Sequence, residues 1–125
     1  MRWPWLRAVV RGASMAPALR SGDRVLVRRR GTYRATALVV ARHPQRPDLL
    51  LVKRVAGVPG DEVYGARLGP DEYWLASDNL LAAPDDSRSF GPVPSAAIEG
   101  RVLVRYRPPI RSRRNGAAAA RESNT

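Results

Sequence analysis

The sequence predicts a mainly β domain, and three observations carry that prediction. Its apolar segments are short and strand-like in composition. Gly, Pro and Asp separate them at regular intervals, and no stretch of helical periodicity outlasts a turn.

The elements follow in chain order. Residues 1–10 form an N-terminal segment in which Pro4 and Arg7 interrupt the apolar residues, so it lacks the continuous core of a secretory signal. Trp3 and Trp5 could touch a membrane surface, although such tryptophans more often pack on the domain or stay loose. The folded domain is expected over 11–107, opening with a short helical turn near Ser14. Strands are expected over 24–29, 37–42, 49–56, 62–66, 73–76 and 100–106, each bounded by turn chemistry such as Ser21-Gly22-Asp23, Pro59-Gly60-Asp61 and Gly69-Pro70-Asp71. From Pro108 the composition turns to Pro, Arg, Ala and polar residues, so 108–125 reads as a basic, disordered tail.

Composition narrows the chemistry. The 125 residues suit one domain. They include no cysteine and one histidine, His43, which removes thiol nucleophiles, disulfides and clustered-histidine metal sites. No metal or other cofactor is expected. No stretch reaches the roughly 20 apolar residues that span a bilayer. The chain therefore reads as soluble, with a peripheral place at a membrane as the alternative.

The formal net charge of +11 raises the question of nucleic acid. Much of it lies in Arg28-Arg29-Arg30 and in the tail, and the aromatics do not interleave with the arginines as a base-stacking platform requires. Nucleic acid is not the expected partner. A basic β domain with an inactive site remains the reading from another class.

Three segments carry chemistry. In Gly12-Ala-Ser14-Met15-Ala-Pro17 a serine enters a constrained turn that could present its hydroxyl beside free backbone N–H groups. Alone this is weak, because serine in a Gly/Pro turn is usually only a turn residue. In Leu49-Leu-Leu-Val-Lys53-Arg-Val55 strand alternation sets Lys53 on one face with Leu49, Leu51 and Val55. Desolvation there lowers an amine's pKa, something no guanidinium can match. Lys53 is the only lysine among 22 basic residues, which suggests a need for an amine that can lose its proton. The plain alternative is a lysine whose stem reaches out to an edge. The third segment, 77–88, crowds Ser77, Asp78, Asn79, Asp85, Asp86, Ser87 and Arg88 between apolar strands. An Asp86–Arg88 pair could pin a long loop there.

Together and in this order, the three segments resemble the signal peptidase I family of serine–lysine peptidases. The resemblance rests on Gly-Ala-Ser14-Met-Ala-Pro-Ala-Leu with Gly22-Asp23, and on Lys53-Arg-Val-Ala-Gly-Val-Pro-Gly-Asp61. It continues through Asp78-Asn79, Asp86-Ser87-Arg88 and Phe90-Gly91-Pro92-Val93-Pro94, covering about residues 11–106. It implies a compact β-rich catalytic core, here without a membrane anchor or large insert. Ser14 is then the nucleophile and Lys53 the general base, and Gly12, Met15, Asp78, Asn79, Asp86, Ser87 and Arg88 support them. The implied substrate is a precursor protein with an N-terminal leader.

Three departures matter. Gly12 stands where many bacterial members carry an oxyanion-binding serine. The family's lysine-orienting serine should fall near Ala83 or Pro84, so Lys53 is expected to lack that hydroxyl. Ser77 replaces the usual Gly before Asp78-Asn79. A short chain with Arg42-His-Pro, Leu49-Leu-Leu-Val-Lys-Arg and the ending Val104-Arg-Tyr-Arg-Pro108 resembles the nickel-type superoxide dismutase maturation proteases. That resemblance implies a cytoplasmic place and the leader of that precursor as the narrower expectation, with exported signal peptides as the alternative.

Overall fold

The computed structural model describes residues 5–12, 14–29, 31–81 and 85–107. The strands are β1 (Trp5–Val9), β2 (Arg24–Arg28), β3 (Leu38–Arg42), β4 (Leu50–Gly57), β5 (Glu62–Val63), β6 (Ala66–Arg67), β7 (Glu72–Ala76), β8 (Val93–Pro94) and β9 (Ile98–Tyr106). Two short helical pieces, α1 (Ser87–Phe90) and a 3₁₀ turn (Ser95–Ala97), precede β8 and β9 respectively. The mainly β expectation holds, with an antiparallel sheet that curls on itself.

Among the described residues one sheet runs β1-β2-β9-β3-β4-β7-β8, and β5 pairs with β6 in a separate hairpin. Register shifts at Leu26/Val27, Val40/Ala41 and Val55/Gly57 mark where the strands bend. Two buried clusters fill the curl. One holds Tyr33, Val39, Val55, Tyr73, Leu75, Val93 and Ile98, and the other holds Val10, Met15, Leu19, Val25, Val27 and Val40.

Four local expectations change. Trp5–Val9, assigned by sequence to a separate N-terminal segment, is a strand paired antiparallel with β2. Trp5 packs there, with the Arg28 guanidinium 5.2 Å from its ring centre. The strand expected over 62–66 is instead a hairpin, because Tyr64 (φ 50°) and Gly65 (φ 81°) both enter the left-handed region that a two-residue hairpin turn demands. The segment after Ser14 is a run of turns rather than a helix, although the Leu19 N–H does reach the Met15 carbonyl at 2.9 Å. The helix forms at Ser87–Phe90, where the Asp86 carboxylate caps the Arg88 N–H. The expected tail over 108–125 lies outside the described residues.

Some of the arginine excess is structural. Buried Glu99 on β9 takes hydrogen bonds from both Arg29 and Arg42, and buried Asp23 takes two from Arg107 at 2.9 and 3.1 Å.

Gly100 lets β9 pass close to β2, because a Cβ there would stand 2.5 Å from the Arg28 carbonyl oxygen. Gly100→Ala should therefore destabilise the domain by about 2 kcal/mol or more. Gly31→Ala, where nothing lies within 4 Å, should change little. Urea denaturation of both variants checks the contrast.

Candidate active site

The site is assembled from the loop between β1 and β2, the middle of β4 and the end of β7. Backbone bonds between Val10 and Asp23 (2.8 Å) and between Gly22 and Val10 (2.8 Å) extend the β1–β2 pairing and close the loop that carries Ser14. Met15 and Leu19 root that loop in the second buried cluster. The Gly12 N–H donates to the Ser21 hydroxyl at 3.3 Å.

Lys53 sits on β4, flanked by β3 and β7, directly across from Val39. Alternation puts it on one face with Val55, and its side chain is only 2% exposed. The expected apolar setting is thus present. The amine meets two hydroxyls: Lys53 Nζ lies 3.1 Å from Ser14 Oγ and 3.0 Å from Ser77 Oγ. Burial pushes the Lys53 pKa below its ordinary value, against the opposing pull of the Asp86 and Asp85 carboxylates, while Arg88 adds to the depression.

The expectation that Lys53 lacks a second hydroxyl is therefore overturned. The hydroxyl comes from Ser77 at the end of β7, whereas Ala83 and Pro84 lie outside the described residues. A signal for it was present in the sequence. Tyr73, Leu75 and Ser77 continue one alternation, and all three are buried.

Asp78 and Asn79 meet the Ser14 loop through their backbone N–H groups. The Asn79 N–H donates to the Ser14 carbonyl at 2.7 Å, and the Asp78 N–H meets Met15 Sδ at 3.4 Å. The Ser14 loop is thereby tied to the segment just past β7 that holds Ser77. The Asp78 carboxylate turns to the neighbouring β4 residue, receiving Arg54 Nε at 2.8 Å and Nη2 at 2.7 Å.

Asp86, Ser87 and Arg88 form the clamp behind β7. The pairing of β7 with β8 covers only Glu72 and Tyr73, so the next N–H groups along that edge need other acceptors. Ser87 Oγ accepts from the Leu75 N–H at 2.8 Å, and Asp86 Oδ2 accepts from the Ser77 N–H at 2.9 Å. Arg88 secures Asp86 through Nε and Nη2, both at 3.1 Å. Asp86 is wholly buried; burial raises its pKa, but the bonds from Arg88 and the Ser77 and Arg88 N–H groups outweigh that and hold it low. His43 lies beside this segment, with Nε2 3.1 Å from Asp85 Oδ1 and Nδ1 accepting the Gln45 N–H at 3.0 Å. Among the described residues no group of three His, Cys, Asp or Glu side chains could hold a metal.

Comparison with known proteins matches residues 4–67 to the family described as signal peptidase, peptidase S26. The chain belongs to that family. It is 34% identical over 117 residues to mitochondrial ATP-independent inner membrane protease subunit 1a of Arabidopsis thaliana, covering 80% of this chain and 69% of the relative. It is 36% identical over 124 residues to mitochondrial inner membrane protease subunit 1 of Xenopus tropicalis, covering 84% and 74%. The subunit 1 of Schizosaccharomyces pombe is 32% identical over 111 residues, covering 78% and 70%.

These relatives correct the expected location. Each is named as an inner membrane protease, which points to membrane association rather than to the cytoplasm. The cytoplasmic expectation came with the likeness to the superoxide dismutase maturation proteases, which these relatives do not support. Among the described residues no helix is long and apolar enough to cross a membrane, and that fact does not exclude work at a membrane surface.

The clamp makes a specific prediction. Ser87→Ala leaves the buried Leu75 N–H without its acceptor and should cost about 1–3 kcal/mol. Asp86→Ala, which strips acceptors from both Ser77 and Arg88, should cost more. Denaturant midpoints of the two variants give the order.

Proposed function

We propose that this peptidase uses Ser14 and Lys53 as a catalytic dyad to remove an N-terminal leader from a precursor protein at a membrane. The supporting observation is the 3.1 Å approach of a buried, pKa-depressed amine to the hydroxyl of a serine held in a tethered turn. The membrane setting is carried over from the relatives' names.

Neutral Lys53 takes the Ser14 hydroxyl proton as Oγ attacks the scissile carbonyl carbon. The carbonyl electrons move to oxygen, and the Ser14 N–H is the proposed donor to that oxyanion. Collapse breaks the C–N bond, and the Lys53 ammonium protonates the departing amine. Lys53 then removes a proton from water, which cleaves the Ser14 ester and restores the free hydroxyl. No cofactor is needed at any step.

Processing of a nickel-type superoxide dismutase leader receives no support from the comparisons, which lead instead to inner membrane protease subunits. Cleavage of signal peptides on exported proteins remains the second reading, favoured by the family's description.

The test is to incubate the protein with membrane and soluble precursor fractions and to sequence every new N-terminus. Cleavage should be lost by at least about 10³-fold in Ser14→Ala and in Lys53→Arg, the latter because a guanidinium cannot accept the proton. Activity in the wild type should rise with pH, because the base works only when neutral. The rise should be centred below the ordinary lysine range of ~10.4, since burial lowers the Lys53 value. A Lys53→Arg protein with normal turnover, or activity flat across that rise, would remove the dyad.

A further inference from the structure

The geometry points to Ser77 as the residue that positions the general base, through a hydrogen-bonded line that runs from Ser14 through Lys53 and Ser77 to Asp86. This inference rests on the dyad reading and adds a residue to it.

A neutral amine carries one lone pair and two N–H bonds, and it can take the nucleophile's proton only when the lone pair faces Oγ. Rotation about the last carbon–nitrogen bond of Lys53 must therefore be restrained. Ser77 Oγ supplies the restraint by accepting an N–H at 3.0 Å in a buried setting. With that bond made, the lone pair is left for Ser14 Oγ, 3.1 Å away.

An acceptor must itself be oriented, and Asp86 does this for Ser77. The Ser77 N–H donates to Asp86 Oδ2 at 2.9 Å. The backbone of Ser77 is thus held by one fixed, ionised acceptor, which sets where its hydroxyl meets Lys53. Asp86 is immobile in turn, because Arg88 grips it at 3.1 Å through two nitrogens. In the reactive arrangement the Ser14 O–H points to Lys53 and a Lys53 N–H points to Ser77, whose own N–H is fixed on Asp86.

The charged groups facing Lys53 are Asp86 and Asp85, which favour the ammonium, and Arg88, which opposes it. None of these is altered in Ser77→Ala, which also keeps the backbone N–H bonded to Asp86. The variant removes the hydroxyl alone. Its effect on the base is twofold: the ammonium loses an acceptor, so the neutral form becomes easier to reach, while the lone pair loses its aim.

Because Lys53 is the only lysine, labelling the full-length protein with ¹⁵N,¹³C-lysine gives a single side-chain signal whose titration needs no substrate. That titration is followed for wild type and Ser77→Ala. Turnover is measured on a peptide spanning the new N-terminus mapped above, with Ser14→Ala and Lys53→Arg alongside. The expected result for Ser77→Ala is a fall in kcat of about 10- to 100-fold, KM within about twofold, and a lysine midpoint displaced to lower pH. Lower turnover from a more readily neutral base is a combination that loss of packing does not produce. Normal kcat in Ser77→Ala beside inactive Ser14→Ala and Lys53→Arg would overturn this inference alone. So would a fall in kcat with an unmoved lysine midpoint. Full activity in Ser14→Ala or Lys53→Arg would overturn the dyad and this inference with it.

Discussion

An amine buried at 2% exposure is the constraint on which the rest of the site depends. A charged ammonium there is costly, so the protein must either neutralise it or surround it with acceptors. The structure does some of both. Two hydroxyls stand at 3.0 and 3.1 Å, and two carboxylates favour the charged form without cancelling the depression caused by burial. A lysine in that state is expensive to fold and useful to chemistry. The linkage follows the sign of the shift: the unfolded chain binds the proton more tightly than the folded one, so this group's contribution to stability improves as pH rises from the folded toward the unfolded value.

The end of β7 is the junction that makes such a site possible. The backbone just past it holds the Ser14 loop through the bond from Asn79 to Ser14, and the Ser77 side chain there meets the Lys53 amine. Among the described residues that strand end has no partner strand past Tyr73 on its outer edge, where Asp86 and Ser87 serve as acceptors in place of a ladder. A motif carried over from the family as structural support therefore has a definite physical task. It completes the sheet where the sheet stops, and in doing so it ties both members of the proposed dyad to one piece of backbone.

How much of this was legible in the sequence depended on whether a residue's setting was local. Ser14 and Lys53 could be read because a lone lysine on an alternating apolar strand and a serine in a Gly/Pro turn are features of neighbouring residues. The main strands were equally local. Trp5–Val9 was missed because Pro4, Arg7 and Arg11 break its apolar pattern, and an edge strand needs only one covered face. Ser77 was noticed as a departure from the expected glycine, but its role depends on the spatial meeting of β4 and β7. The bend that turns 62–66 into a hairpin came from Tyr64 and Gly65, a pair whose left-handed backbone composition alone did not reveal. Location was misjudged for a different reason, since attachment to a membrane need not be written in the folded catalytic unit.

The most direct measurement is the pH titration of the Lys53 side chain by NMR in the unmodified protein, where it is the only lysine signal. The account predicts a midpoint below the ordinary lysine range, coinciding with the midpoint of the rise in peptidase activity. A midpoint in the ordinary range, or one unrelated to the activity rise, would contradict the claim that this amine is the base.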